Sequence, residues 1–105
     1  MKTRKIKALC VKQPYASDIL TGIKKIEYRS WRTRYRGDVL IIASRKPKIK
    51  GMPCGMALCF VEIFDVTGDK RTCFEWHLRN VRPLERFIPV KGKLGVFDLT
   101  WPIEE

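Results

Sequence analysis

The chain has few of the residues and segments that mark membrane, secreted or metal-binding proteins. Its 105 residues include four cysteines and one histidine, and no Cys-x-x-Cys pair of the kind found in zinc knuckles. No apolar run approaches the roughly 20 residues that cross a bilayer, and the basic N-terminus lacks the apolar segment of a secretory signal. We therefore expect a cytoplasmic protein without a membrane contact, disulfides or a cofactor.

The cysteines leave one metal arrangement to consider. Cys54 and Cys59, followed by Cys73 and His77, are the residue types that would supply three thiolates and an imidazole to zinc. Against this, Cys59 and Cys10 lie in apolar runs, where a free cysteine behaves as a small core residue. We predict no metal site, and the sequence alone leaves open whether these side chains ever bind an ion.

Acidic residues are scarce in the first half of the chain. Residues 1–50 carry 15 Lys and Arg against 3 acids, whereas residues 51–105 carry 7 against 8. In the densest stretch, residues 24–36, six cations are opposed by Glu27 alone. Such asymmetry is typical of proteins with a polyanionic partner, most often nucleic acid. A basic surface that merely maintains solubility is the alternative.

The length and the hydrophobic pattern predict one domain with a small core. A chain with 45% hydrophobic and 31% charged residues is globular, and no linker or repeat divides it, so we predict a single domain over residues 1–105. Short apolar or alternating segments predict strands at 8–12, 25–31, 39–44, 56–67, from 74 onward and 96–101.

One short helix is predicted between the first two strands. It opens at Gln13-Pro14 and runs to Thr21, and Gly22 suits the left-handed residue beyond its end. Five or six strands and one helix predict an α+β, mostly β fold: a small, mostly antiparallel barrel with the helix across one end. An open sheet is the competing layout.

The most informative segment follows the predicted helix, where residues 22–29 read Gly-Ile-Lys-Lys-Ile-Glu-Tyr-Arg. Strand alternation puts Glu27, Arg29 and Trp31 on one face, and Lys24 lies at the junction of helix and strand. A carboxylate between two cations stays ionised. It can accept a hydrogen bond from a nucleobase amine while the cations bind phosphate or carbonyl oxygens. An ion-pair network that attaches the helix to the sheet is the structural alternative.

With its flanking residues, this segment resembles the ASCH domain, the activating-signal-cointegrator homology family of PUA-like barrels. The residues that carry the resemblance are Gly22-x-Lys24-x-x-Glu27-x-Arg29, with Gln13-Pro14-Tyr15-Ala16 before them and Trp31, Arg36-Gly37 and Leu40-Ile41-Ile42-Ala43 after them. Similar to the family's C-terminal half are Trp76-x-Leu78-x-Asn80, Pro89-Val90-Lys91-Gly92 and Val96-Phe97. The resemblance covers most of the chain.

The resemblance implies a barrel with a cleft between helix and strands that binds RNA or a nucleotide derived from RNA. Carried over residue by residue, it implies that Lys24, Glu27 and Arg29 line this cleft. Gln13, Tyr15 and Trp31 are the implied rim contacts.

An RNA-directed hydrolase is the alternative function that the resemblance raises. Some family members are reported as ribonucleases, and a bacterial branch hydrolyses the amide of acetylated cytidine with a Lys, a Thr and a Glu. Lys24 matches the branch's lysine, but Glu27 stands where its nucleophilic threonine is expected. Thr21 lies at the helix end, and Glu75 is the nearest candidate for the branch's glutamate. If the chain is an enzyme, we expect Lys24 and Glu27 to be catalytic, although a carboxylate beside two cations is a weak base. His77 suits proton transfer better, but nothing in the sequence places it in the cleft.

Simple binding of RNA requires less of the sequence. An electrostatic track for a phosphate backbone is predicted from Arg32, Arg34, Arg36, Lys46, Lys48 and Lys50. Flat faces for unpaired bases are predicted at Tyr15, Trp31 and Tyr35. No predicted helix carries cations into a duplex groove, so single-stranded or locally unpaired RNA is the expected partner. A protein-interaction module for an acidic partner is a further alternative, and the oligomeric state is open.

Overall fold

The computed structural model describes residues 2–102 as one six-stranded sheet with a short helix. Its elements are β1 Thr3–Val11, α1 Tyr15–Leu20, β2 Ile26–Arg29, β3 Gly37–Ala43, β4 Met56–Gly68, β5 Phe74–Pro89 and β6 Val96–Pro102. The strands pair in the order β2-β5-β4-β3-β1-β6, and among these pairs β1 with β3 is parallel. The prediction of a mostly β, mostly antiparallel fold with one helix is confirmed.

The sheet curls strongly, but backbone pairing does not close it. Within residues 2–102, β2 and β6 are the two ends of the strand order and do not pair with each other. In a flat sheet, β2 and β1 would lie four spacings, roughly 19 Å, apart. Yet the Arg29 guanidinium on β2 donates to the carbonyl oxygen of Cys10 on β1 at 2.7 Å. The sheet is therefore curved as in the predicted barrel but is not closed. A side-chain hydrogen bond, and not a strand ladder, spans the gap between β2 and β1.

Both faces of the central strands are buried. The inner face packs with α1 in a core that includes Val39, Ile41 and Trp76, and Leu40 and Ile42 belong to a smaller cluster on the opposite face. A strand covered on both sides has no polar face, which explains the continuous apolar run of β3.

Several element boundaries differ from the sequence-based prediction because distant strands set them. β1 begins at Thr3, since β6 pairs along it from Thr3 to Leu9. β5 continues to Pro89, since its second half pairs back onto the start of β4. The helix is shorter than predicted: Pro14 occupies the N-cap position, and the last helical residue is Leu20.

The turn between β4 and β5 supplies a test of the fold. Gly68 has a φ of +96°, and a Cβ there would overlap the Cys73 carbonyl oxygen. Gly51 has a φ of +84° and nothing within 4 Å of the same added atom. We expect Gly51→Ala to lower the free energy of unfolding by about 1–2 kcal/mol through backbone strain alone. Gly68→Ala should lower it by about 1–3 kcal/mol more, because the backbone must also move. Urea denaturation measures both, and equal losses would contradict the register of this turn.

Candidate functional site

An open cleft of about 580 Å³ lies where the two ends of the curled sheet approach each other. Its walls come from the end of β1, the start of α1, β2, the residue after β3 and the loop before β6. Four cations and one carboxylate line it: Lys12, Lys24, Arg29, Lys93 and Glu27. The cleft is therefore a basic one.

Local backbone geometry positions the residues of β2. β2 pairs with β5 so that Glu27 is opposite Trp76. Because Glu27 and Arg29 are two residues apart on this strand, their side chains lie on the same side. At the helix end, Gly22 has a φ of +83°, and the Lys24 N–H donates to the Asp18 carbonyl at 3.0 Å. This turn brings Lys24 back over Glu27, three residues further along.

Lys24, Glu27 and Arg29 form one ion-pair network. Arg29 lies against Glu27 Oε2, with Nε at 3.0 Å and Nη2 at 2.8 Å. Lys24 Nζ is 3.7 Å from Glu27 Oε1 and lies over the rings of Tyr15 and Tyr28, at 5.4 and 4.9 Å from their centroids. Glu27 is buried, with 7% of its surface exposed. The ion-pair network considered as the alternative to a binding site is therefore present. It does not fill the cleft.

Two polar atoms of this network have no hydrogen-bond partner within residues 2–102. Glu27 Oε1 has only the longer contact with Lys24, and Arg29 donates through Nε and Nη2, leaving Nη1 unused. No buried polar side-chain atom of the described chain lacks a partner, so both atoms are open to solvent. The residues that line the cleft therefore include one with an unused acceptor, Glu27, and one with an unused donor, Arg29.

The sequence profile of the ASCH domain matches residues 9–99. The chain belongs to the ASCH domain family. This PUA-like family is generally associated with RNA binding. A search of curated proteins found no significant match. The helix described within residues 2–102, α1, is not long and apolar enough to cross a membrane.

The ASCH domain places the implied rim residues in different environments. Tyr15 lines the cleft and is half exposed. Gln13, expected at the rim, is buried: its Oε1 accepts from the Ser17 N–H at 2.9 Å and its Nε2 donates to the Pro53 carbonyl at 2.8 Å. The prediction for Gln13 is therefore wrong, because both ends of its amide hold the chain entry to α1 against the loop after β3.

The other two aromatic residues of the prediction lie outside the cleft lining. Trp31 packs edge-on against Trp76, with ring centroids 4.7 Å apart, and its ring lies beside Gly95 of the cleft wall. Tyr35 donates its hydroxyl to the Asp38 carbonyl at 2.6 Å and lines a separate groove on the β1 side. Of the three predicted stacking surfaces, Tyr15 is thus the one inside the cleft.

The predicted basic track consists of two loops that start at the cleft. All six of its members are exposed: Arg32, Arg34, Arg36, Lys46, Lys48 and Lys50. The first loop follows Trp31, and the second follows Ser44, which lines the cleft. Arg36 is engaged with its own loop, since Nη1 donates to the carbonyls of Thr33 and Tyr35 at 3.0 Å each.

The candidate residues for hydrolysis are dispersed. Within the described chain, Thr21, Glu75 and His77 are not among the residues that line the cleft. His77 Nε2 is hydrogen-bonded to Thr67 Oγ1 at 2.8 Å on the sheet. The cleft does contain Cys10, but burial raises the pKa of its thiol, with the backbone of Lys93 and the charge of Arg29 opposing. A protonated thiol is a poor nucleophile.

The cysteines are also dispersed. All four are free thiols, and burial in the core raises the pKa of Cys59 to about 11. Among residues 2–102, no three His, Cys, Asp or Glu side chains come close enough to hold a metal ion.

Sequence reasoning missed eight of the residues that line the cleft, among them Lys12, Tyr28, Lys93 and Leu94. In a regular strand Tyr28 would lie on the face opposite Glu27 and Arg29, but β2 is an end strand of only four residues, so side chains on both faces can reach around its open edge. The other three come from chain segments that the sequence gives no reason to bring to β2.

A double-mutant cycle tests the coupling of Arg29 to Glu27. Arg29→Met should lower the free energy of unfolding by about 2–4 kcal/mol, because it leaves a buried carboxylate and the Cys10 carbonyl without their donor. Glu27→Gln removes the charge that Arg29 neutralises. We expect the double variant to lose at least about 1 kcal/mol less than the sum of the single losses. Urea denaturation gives all four values, and additive losses would show that the pair is not coupled.

Proposed function

We propose that this ASCH domain binds unpaired RNA, or a nucleotide derived from RNA, in the cleft that Lys24, Glu27 and Arg29 line. One observation carries the proposal. Glu27 has an unused acceptor, Oε1, and Arg29 an unused donor, Nη1, and both residues line one open cleft together with Lys12, Lys24 and Lys93.

The polar pattern of the cleft lining suits the edge of a nucleobase. The Watson–Crick edge of a base presents a hydrogen-bond donor next to an acceptor, and proteins read this edge in unpaired RNA. A donor on the base would meet Glu27, and the neighbouring acceptor would meet Arg29 or Lys24. In a duplex the same edge is already paired, so this geometry favours single-stranded or locally unpaired RNA.

The charges around the cleft suit the phosphates that accompany such a base. Lys12 and Lys93 line the cleft, and the exposed basic loops at 32–34 and 45–50 start from its walls. Binding that neutralises phosphates releases counterions and weakens as salt rises, with a slope of about −0.7 per phosphate contact for single strands. The same charges would serve an acidic protein partner, but such a partner does not require the unused donor and acceptor of the cleft.

Hydrolysis is the less supported alternative. The described cleft contains a protonated thiol, a carboxylate engaged by two cations and no histidine. A general base must be available to accept a proton, and Glu27 is instead held as an ion-pair partner. Binding requires only that these residues supply charges and hydrogen-bonding groups, and it requires no proton transfer.

Fluorescence anisotropy with a labelled, unstructured RNA octamer of mixed sequence tests the proposal. Lys24→Gln should weaken binding about tenfold at about 0.15 M salt, the effect of one charge-assisted contact. Lys70→Gln removes the same charge from an exposed turn outside the cleft and should change affinity less than about twofold. A self-complementary RNA duplex should bind more weakly than the single strand.

Analysing the RNA from the same samples for cleavage products distinguishes RNA binding from the two alternative functions. Equal effects of Lys24→Gln and Lys70→Gln would contradict binding in the cleft. Loss of all RNA retention at about 0.15 M salt would favour the protein-interaction module. Product that appears with the wild-type protein and disappears with Glu27→Gln would establish the hydrolase instead.

A further inference from the structure

One wall of the cleft carries a leucine that is almost fully exposed. Leu94 is 99% exposed and lines the cleft from the loop between β5 and β6. Single exposed leucines are common on protein surfaces, so exposure alone assigns no role. The arrangement of the loop around Leu94 is what distinguishes it.

The loop passes close to two other segments on either side of Leu94. On one side, a Cβ at Gly92 would overlap Cys10 Sγ, so the loop backbone lies against β1. On the other side, Gly95 has a φ of +71°, and a Cβ there would be in ordinary van der Waals contact with the Trp31 ring, at 3.7 Å. Leu94 lies between these two glycines and is exposed at the cleft.

Other residues that line the cleft also present aromatic surface. Tyr15 and Tyr28, each 54% exposed, also line the cleft, and Lys24 lies over both rings. Glu27 and Arg29 line the same cleft. The lining therefore combines an exposed leucine and two tyrosine rings with an unused acceptor and an unused donor, and the cations Lys12 and Lys93 also line it.

We propose that Leu94 contacts the face of a nucleobase and that Lys93 beside it binds the attached phosphate. The inference rests on the proposed function and narrows it: the ligand is a nucleotide unit with its base inserted in the cleft, not a sugar-phosphate backbone that crosses the basic surface. A flat base with its edge at Glu27 and Arg29 presents apolar faces to the walls. Leu94 becomes buried only when such a group is bound.

Two probes of equal charge separate base contacts from backbone contacts. One is the labelled, mixed-sequence RNA octamer, and the other is an abasic ribose-phosphate octamer with the same label. We expect the wild-type protein to bind the RNA more tightly than the abasic strand. Leu94→Ala should weaken RNA binding about tenfold, which corresponds to burial of a leucine side chain, and should leave abasic binding and the salt dependence unchanged.

Two variants and one control complete the experiment. Leu94→Met, which keeps the apolar volume, should restore most of the affinity for RNA. Lys93→Gln should weaken both probes and lower the slope of affinity against salt by about one phosphate contact. Ile23→Ala is the matched control, because Ile23 is an aliphatic residue that is 78% exposed and does not line the cleft; it should bind both probes like the wild type.

The outcomes distinguish failure of this inference from failure of the proposed function. If Lys24→Gln still weakens RNA binding but Leu94→Ala does not, RNA binds in the cleft without contact to Leu94 and the inference is overturned. Equal affinity of the wild type for RNA and the abasic strand also overturns it. If the wild-type protein binds neither probe, both proposals fail. Because Leu94 is fully exposed, its variants should unfold at the same urea concentration as the wild type, and that measurement accompanies each binding curve.

Discussion

The contact of Arg29 on β2 with Cys10 on β1 is the interaction on which the cleft depends. Its guanidinium neutralises Glu27 on β2 and donates to the Cys10 carbonyl on β1. The two strands are separated by three others in the hydrogen-bonded order, so no backbone ladder holds them at this distance. A side-chain bridge leaves an opening that a strand pair would have closed, and this opening is the cleft.

The environment of this ion pair differs from that of the other ion pairs of the described chain. Asp38 with Arg82, Glu62 with Arg79 and Asp98 with Lys7 are held on the surface of the sheet, where solvent screens them and their contribution to stability is small. Glu27 retains only 9% of its side-chain surface. Burying it has a desolvation cost that Arg29 and Lys24 offset, and Glu27 still lines the cleft. The same network is thus both structural and available to a ligand.

Much of the site could be predicted because it lies in a short segment with regular geometry. The two-residue alternation of a strand placed Glu27 and Arg29 on one side, and Gly22 marked the turn that returns Lys24 to them. The barrel prediction was correct in curvature but not in closure, since strand number and length do not show whether the last pair of strands will meet. Gln13 was misplaced because its partner, the Pro53 carbonyl, lies in a loop with no recognisable pattern.

What the sequence determined by itself was therefore local: the strands, the helix, the charge excess of the first half, the order of the family's motif residues and the grouping of Lys24, Glu27 and Arg29. These follow from the periodicity and turn chemistry of neighbouring residues. The tertiary structure alone decided that the loop before β6 stands opposite β2, with Lys93 and Leu94 lining the cleft and Cys10 accepting from Arg29. These residues meet because the sheet curls, and the sheet is assembled from six strands along the whole chain, so no single segment encodes its curvature.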